Sequence, residues 1–164
     1  MNTQSQPTDD ALLVMSFNLG EAVFGIDALQ IQEVAKVGGV TCVHHAPADV
    51  IGIRNLRGHI VTVIDLRTRL ELGRVTPGPE NRILIVEGQG EPIGLLVDWI
   101  ADTINVNPAD IQPAPANVHG VQSRNLRGVC RGCRRLVALL DLATVLQLEA
   151  EAGQPLVARK QLHA

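Results

Sequence analysis

Aromatic residues are almost missing from this chain of 164 residues, which has no tyrosine, two phenylalanines and one tryptophan. Proteins that bind single-stranded nucleic acid stack the bases on aromatic rings. The chain is also acidic, with a formal net charge of −3. Together the two observations exclude nucleic acid from the expected partners. The core must be built from valine, isoleucine, leucine and alanine, which favours a β-rich fold.

Cysteine and long apolar runs are scarce as well. Three cysteines are an odd number, which is not the pattern of a disulfide-stapled scaffold. No apolar run reaches the roughly 18 residues of a membrane-spanning helix. The first ten residues have neither the basic nor the apolar region of a secretion signal. The sequence therefore predicts a cytoplasmic protein without direct membrane insertion.

Lysine is the third shortage, because only Lys36 and Lys160 are lysines among the 14 basic residues. The others are arginines, whose planar guanidinium suits paired hydrogen bonds to carboxylates at protein interfaces. Five arginines form a local basic cluster, at positions 124, 127, 131, 134 and 135. The cluster is either a solvated hairpin or a surface for an acidic partner.

A short repeat is the most informative feature that the chain does contain. Asn-Leu-Arg-Gly occurs at 55–58 and at 125–128, an offset of 70 residues (125 minus 55). Similar Gly-containing strands precede the two copies, and an apolar run ending in Asp-Leu follows each. Self-similarity of this kind indicates one supersecondary unit used twice. We expect two similar subdomains, roughly 11–75 and 80–150, joined by a linker around Pro77-Gly78-Pro79.

Short apolar runs punctuated by glycine predict strands throughout residues 11–150, and their spacing is typical of small barrels. Residues 1–10 and 151–164 are expected to be flexible tails. Four aspartates are predicted to cap short helices, the first of which would run from Asp27 through Val34 and the second from Leu66 to Leu72. The four are Asp27, Asp65, Asp98 and Asp141.

Arg57 is the residue of the repeat that turn chemistry leaves unexplained. Asn and Gly tolerate the left-handed backbone of a hairpin tip, which accounts for Asn55 and Gly58. An arginine held on such a tip presents its donors in a fixed direction, which suits a partner carboxylate or carbonyl. Arg57 is therefore predicted to contact a protein partner, and Arg127 less so because its hairpin differs.

The Cys130-x-x-Cys133 pair leaves two interpretations open. Arg131-Gly132 can be a hairpin turn that leaves the two cysteines facing each other, or the pair can bind a metal or form a labile disulfide. A structural zinc needs four ligands, and no second pair at ligand spacing exists. Cys42-Val43-His44-His45 is interpreted as a polar strand end rather than a nucleophile and its base. No catalytic constellation and no cofactor motif is found.

Several segments resemble the CheW family, in a combination that covers about residues 11–150. They include Phe24-Gly-Ile-Asp27, the stretch Ile31 to Val34, and Pro47 to Gly52 ahead of the first Asn-Leu-Arg-Gly. Further matching segments are Ile60 to Arg67, Gly94 to Asp98 and Ile111 to Pro115. The resemblance implies a mainly β fold of two intertwined five-stranded, SH3-like β-barrels with short helices and a C-terminal helix.

For function, the resemblance implies a non-enzymatic chemotaxis adaptor. It would couple the cytoplasmic tip of chemoreceptors to the regulatory domain of a CheA-type histidine kinase, within membrane-associated receptor arrays and with possible self-association. Residues matching the family's receptor-contact region are Gly52, Asn55, Leu56, Arg57, Gly58, Ile83 and Ile100. Residues matching its kinase-contact face are Ile31, Glu33 and Val34, and the two faces are expected to be separate.

Two alternatives to flagellar chemotaxis stay open. An adaptor of a pilus-motility or other chemosensory-like system would have the same sequence features. A metal- or redox-sensing protein that uses Cys130 and Cys133 is the alternative from a different class.

Overall fold

The computed structural model describes residues 11–132 and 135–147. Twelve strands form most of this part, and they are listed in chain order: β1 Leu12–Leu19, β2 Ala22–Asp27, β3 Ile31–Lys36, β4 Val50–Leu56, β5 His59–Asp65, β6 Arg82–Gly88, β7 Glu91–Val97, β8 Trp99–Val106, β9 Asn117–Val118, β10 Val121–Gln122, β11 Leu126–Gly132 and β12 Arg135–Leu140. The helices are short: α1 Leu66–Arg69, α2 Leu142–Gln147, and three single 3-10 turns at Ala28–Gln30, Pro108–Asp110 and Ser123–Asn125. The mainly β prediction is confirmed.

Two five-stranded sheets and one two-stranded ribbon contain all of these strands. The first sheet has the order β3-β6-β7-β5-β4, and the second has the order β11-β12-β2-β1-β8. Each sheet therefore contains strands from both halves of the chain. The strand β3 follows β2 in sequence but pairs with β6, whereas β8 follows β7 but pairs with β1. Each half contributes one hairpin to the other's sheet, because β1 and β2 lie with β8, β11 and β12, and β6 and β7 lie with β3, β4 and β5. This exchange is the predicted intertwining.

Each sheet is closed toward a barrel by a backbone bridge beyond its edge strand. After β3 the chain returns to β4, where Thr41 and Ile53 exchange two hydrogen bonds of 2.8 Å. After β8 it returns to β11, where Gln112 and Val129 exchange hydrogen bonds of 2.9 and 2.8 Å. We call the two units the first barrel and the second barrel. Although short apolar runs predicted strands throughout residues 11–150, residues 40–43 contribute only the first of these bridges.

The bridges correct our interpretation of the repeat. The glycine that precedes each bridge is Gly52 in the first barrel and Gly128 in the second, and both lie at a bulge. Their spacing is 76 residues (128 minus 52), the same as between Asp65 and Asp141. The two Asn-Leu-Arg-Gly segments are 70 apart and so are not equivalent: the first is a hairpin tip, and the second begins β11.

The core has three parts that follow from this arrangement. A central cluster takes side chains from both sheets, among them Phe17, Phe24, Ile64 and Leu95. A smaller cluster fills each barrel: one contains Val14 and its neighbours in the second barrel, and the other contains Ile83 and its neighbours in the first. Burying one large apolar side chain stabilises a fold by about 1.5–3 kcal/mol, so aliphatic residues replace the missing aromatics.

Three of the four predicted caps are confirmed. Asp27 accepts a hydrogen bond from the Leu29 N–H at 2.9 Å, and Asp65 and Asp141 each accept one at 3.2 Å from the amide three residues later. The first helix is shorter than predicted, because Ile31–Lys36 joins β6 instead of continuing it. Helix α1 ends at Arg69 because Glu71 takes a positive φ of 62° and starts the turn.

Asp98 is not a cap, so the fourth prediction is wrong. It lies between β7 and β8, where its carboxylate accepts hydrogen bonds from the Gly20 N–H at 2.6 Å and the Thr76 N–H at 3.3 Å. The Arg67 guanidinium lies 3.5 Å from the same carboxylate. Asp98 therefore holds together three loops that are distant in sequence.

Candidate docking site

The tip of the β4–β5 hairpin is built from the first Asn-Leu-Arg-Gly. Leu56 and His59 pair across it, so Arg57 and Gly58 are its two turn residues, with φ of 52° and 84°. Positive φ at both positions is typical of a type I′ turn, which matches the twist of a hairpin. The Asn55 carboxamide oxygen accepts a hydrogen bond from the Gly58 N–H at 3.0 Å. The tip is therefore fixed by its own side chain.

Arginine is an unusual residue at this backbone position. A non-glycine residue in the left-handed region costs roughly 1–2 kcal/mol, and asparagine or glycine would avoid most of that cost. The Arg57 side chain remains 79% exposed, so burial does not compensate. The turn at Gln89 and Gly90 has nearly the same φ values, 52° and 85°, so the backbone of the tip is a hairpin feature rather than a sign of function.

The only described partner of the Arg57 side chain among residues 11–132 and 135–147 is Glu33. The Arg57 Nη2 lies 3.2 Å from the Glu33 Oε1, and the Glu33 side chain is 29% exposed. An exposed pair of this kind contributes about 0–1 kcal/mol to stability. The pair adds little stability, but it connects the hairpin tip to β3, the strand at the opposite edge of the sheet.

A cleft of about 240 Å³ opens beside this ion pair at the end of the first barrel. Val61, Ile85 and Pro92 form its apolar lining, and Glu87 and Glu91 add carboxylates at its rim. The cleft is open and has an acidic edge. It can receive a side chain from another protein, whereas nothing in it resembles a nucleophile held by a base.

The kinase-contact residues that the resemblance implied lie on β3, next to this cleft. Glu33 lines the cleft, and Val34 is 39% exposed on the outer surface. Ile31 is half-buried and packs against the central core. Glu33 and Arg57 touch each other, so the two predicted faces meet at a shared border. The residues assigned to the two faces are adjacent here, and the expectation that the faces are separate stays a prediction.

Three residues assigned to the receptor region lie elsewhere. Ile83 is 1% exposed inside the first barrel, which leaves no surface for a partner. Ile100 is half-buried on β8 of the second sheet, so it does not share a groove with Ile83. Gly52 is buried, and a Cβ added to it would overlap the Thr41 carbonyl oxygen. Its lack of a side chain is a packing requirement.

The last hairpin differs from its prediction. The register pairs Arg131 with Leu136 and Gly132 with Arg135, so Arg131-Gly132 belongs to β11 and is not the predicted turn, and Cys130 faces Val137. Cys130 is buried, and burial together with the charge of Asp110 raises the pKa of its thiol. Cys133 and Arg134 lie outside the described residues. Within the described part of the chain, no three His, Cys, Asp or Glu side chains are placed to hold a metal ion.

Two exposed apolar side chains escaped the sequence analysis. Leu29 is 88% exposed on the 3-10 turn between β2 and β3, and Ile60 is 59% exposed on β5 beside the tip. A signal for Ile60 was present, because alternation along His59 to Ile64 places it opposite Val61. Leu29 gave no such signal, since a single turn has no period to analyse.

No helix in the described part of the chain is long and apolar enough to cross a membrane.

Comparison with known proteins agrees with this architecture. The family model for the CheW-like domain matches residues 13–150. The chemotaxis protein CheW of Treponema pallidum is 33% identical over 138 residues, covering 82% of this chain and 81% of that protein. CheW of Rhizobium meliloti is 28% identical over 148 residues, covering 90% and 96%. The crystal structure of the scaffolding protein TtCheW from Thermoanaerobacter tengcongensis is 27% identical, with a TM-score of 0.81 and coverage of 96% and 98%. This chain belongs to the CheW-like family of chemotaxis scaffold proteins.

Proposed function

We propose that this chain is a non-catalytic adaptor that binds the cytoplasmic tip of chemoreceptors and the regulatory domain of a CheA-type histidine kinase. Binding both at once would hold the kinase at the receptor array, and control of the kinase would follow from the geometry of the complex. The observation that carries the proposal is the Arg57–Glu33 ion pair of 3.2 Å, which joins the receptor-contact and kinase-contact residues into one surface.

The receptor contact is proposed to centre on the hairpin tip. Asn55 and Arg57 are exposed there, and Leu56 is half-buried at the edge of the cleft. A receptor tip is a helical hairpin, and helices dock through apolar side chains in a groove with polar contacts at the rim. The exposed Ile60 extends the apolar part of this surface. Gly52 and Ile83 support the surface from inside the barrel.

The kinase contact is proposed to use β3, through Val34 and Glu33. The kinase's regulatory domain is itself CheW-like, so an apolar strand surface of one barrel can pack on that of another, with charge fixing the register. Glu33 contacts Arg57, so occupancy of one surface changes the electrostatic environment of the other. The shared border offers a direct physical link between the two binding events.

The test is to measure the binding of purified full-length variants to a receptor signalling fragment and to the kinase regulatory domain. Arg57→Ala should weaken receptor binding about tenfold or more, corresponding to about 1.4 kcal/mol or more, and kinase binding less than threefold. Glu33→Ala should have the reverse pattern. Arg74→Ala is the matched control, because Arg74 is an exposed arginine away from the tip.

A charge exchange distinguishes contact from positioning. The double variant Arg57→Glu with Glu33→Arg retains an ion pair across the same gap. If the two side chains contact the partners directly, the double variant should bind neither partner at the original affinity. Full recovery of both affinities would show that the pair only holds the tip in place. Wild-type protein that binds neither fragment would refute the proposed function.

A further inference from the structure

The arginines of the second barrel have no role in the docking surface proposed above. Residues 123–140 contain five arginines and no aspartate or glutamate. The whole chain carries −3, so the remainder carries −8 (−3 minus +5). This hairpin region is thus a concentrated positive charge on an acidic protein.

Within residues 11–132 and 135–147, the arginines at 124, 127, 131 and 135 are exposed and hold no ion pair or hydrogen bond. Their guanidinium groups are therefore available to another molecule. An exposed cluster of one sign attracts a partner of the opposite sign and accelerates its association.

A pocket of about 150 Å³ lies beside one of these arginines, at the end of the second barrel. Arg135 is part of its wall, together with the apolar side chains of Val23 and Val137. Asn18, which is buried, and Asp102 add polar groups. The pocket is smaller than the first-barrel cleft and suits a single side chain.

The pocket and the first-barrel cleft occupy equivalent ends of the two barrels. Val137 corresponds to Val61 at a spacing of 76 residues, and Asp102 corresponds to Glu33 at a spacing of 69. In the first barrel the carboxylate is neutralised by Arg57. In the described part of the second barrel, Asp102 and Arg135 line the same pocket without forming an ion pair.

We propose that this end of the second barrel is a docking site for an acidic protein segment. One Asp or Glu side chain of the segment enters the pocket, where the Arg135 guanidinium donates paired hydrogen bonds to its carboxylate. Arg131 attracts the rest of the segment without entering the pocket. Asp102 opposes the incoming carboxylate, so removing its charge should strengthen binding.

The experiment uses fluorescence anisotropy with a labelled ten-residue peptide of alternating glutamate and glycine, added to the full-length protein at low salt. A peptide with glutamine in place of glutamate is the control ligand. The acidic peptide should bind and should weaken about tenfold between 20 and 150 mM salt, since contacts between exposed charges are screened. The glutamine peptide should not bind.

Single-charge variants then locate the site. Arg135→Gln should weaken binding at least fivefold, while Arg124→Gln, which removes the same charge at the far end of the hairpin, should change it less than twofold. Asp102→Asn should strengthen binding two- to threefold. Equal losses for Arg135→Gln and Arg124→Gln would mean only diffuse attraction and would overturn the proposal.

The proposal would also be overturned by tight binding to vesicles of anionic phospholipid without binding to the peptide. Circular dichroism of each variant confirms that the fold is retained. The experiment involves neither kinase nor receptor, so its result is independent of the proposed adaptor function.

Discussion

The two barrel ends share one backbone plan but differ in their charges. The first end carries Glu33, Glu87 and Glu91 around a single arginine, which is already paired. At the second end, Asn18 stands at the position equivalent to Glu87, and Arg135 at the position equivalent to His59. The two barrels thus share the same strand arrangement, but the charged residues around their end pockets differ. The difference in charge makes the two ends suited to partners of different charge.

The largest expected effect on stability comes from comparing Asp98 with Asp27, both of which the sequence predicted to be helix caps. Asp98→Ala should destabilise the fold by about 3–5 kcal/mol, because it removes the ion pair of Arg67 and leaves the Gly20 and Thr76 N–H groups without an acceptor. Asp27→Ala removes only an exposed cap and should cost about 0.5–1 kcal/mol. Urea unfolding of both variants measures the difference. Equal losses would contradict the bridging role of Asp98.

The next effect tests whether the two barrels are packed alike. A Cβ at Gly25 would lie 2.6 Å from a Val14 methyl, and one at Gly94 would lie 2.6 Å from an Ile83 methyl. Gly25→Val and Gly94→Val should each destabilise the fold by about 1–3 kcal/mol through overpacking. Gly39→Val is the control, because no atom lies within 4 Å of its added Cβ. A large effect at only one glycine would show that one barrel adapts better.

A smaller effect of opposite sign is expected at the hairpin tip. Arg57→Asn should stabilise the protein by about 1 kcal/mol, since asparagine accepts the left-handed backbone more readily. The same change should weaken receptor binding, because the guanidinium is lost. Thermal unfolding and the receptor-fragment assay give the two readings. A variant that is less stable would show that the Glu33 contact outweighs the backbone strain.

The smallest effect on the fold concerns the cysteines of the two halves. Cys42 is exposed, whereas the Cys130 thiol is buried and has a raised pKa. At pH 8 the raised pKa leaves a smaller fraction of the Cys130 thiol as thiolate than an ordinary cysteine would have, and burial shields it. Iodoacetamide should therefore modify the exposed Cys42 much faster. The rate at Cys130 should increase as the pH approaches its raised pKa. Peptide mass spectrometry of the labelled protein gives each rate separately. Faster labelling at Cys130 would support the redox-sensing alternative.

Local patterns predicted the hairpins well, because each hairpin is made by neighbouring residues. Apolar runs separated by glycine-containing turns predicted strands from Leu12 to Ile26 and from Arg82 to Val97, and both segments form antiparallel pairs with short turns. The strand at Ile31–Lys36 was partly missed, since an acidic cap and a glutamine three residues on suggested a helix. Pairing with Leu84, fifty residues away (84 minus 34), decided that segment instead.

The candidate site was predicted less evenly. Arg57 was found because turn chemistry explained its neighbours but not itself. Its ion pair with Glu33 could not be predicted. Glu33 lies on β3 and Arg57 follows β4, which are the two edge strands of the first sheet, and only the curvature of the folded sheet brings them together. The identical tetrapeptide at 125–128 misled the alignment of the halves, whereas Gly52 and Gly128, with little sequence similarity around them, are the true equivalents.

The exchange of the β1–β2 and β6–β7 hairpins between the halves has a mechanical consequence. Two stretches of backbone, from β2 to β3 and from β7 to β8, cross from one sheet to the other, so the barrels cannot tilt freely about a single connection. A fragment ending near residue 75 would lack β6 and β7 from its own sheet and should not fold by itself. A protein held at one end of the molecule is thereby kept at a set distance and angle from whatever is held at the other.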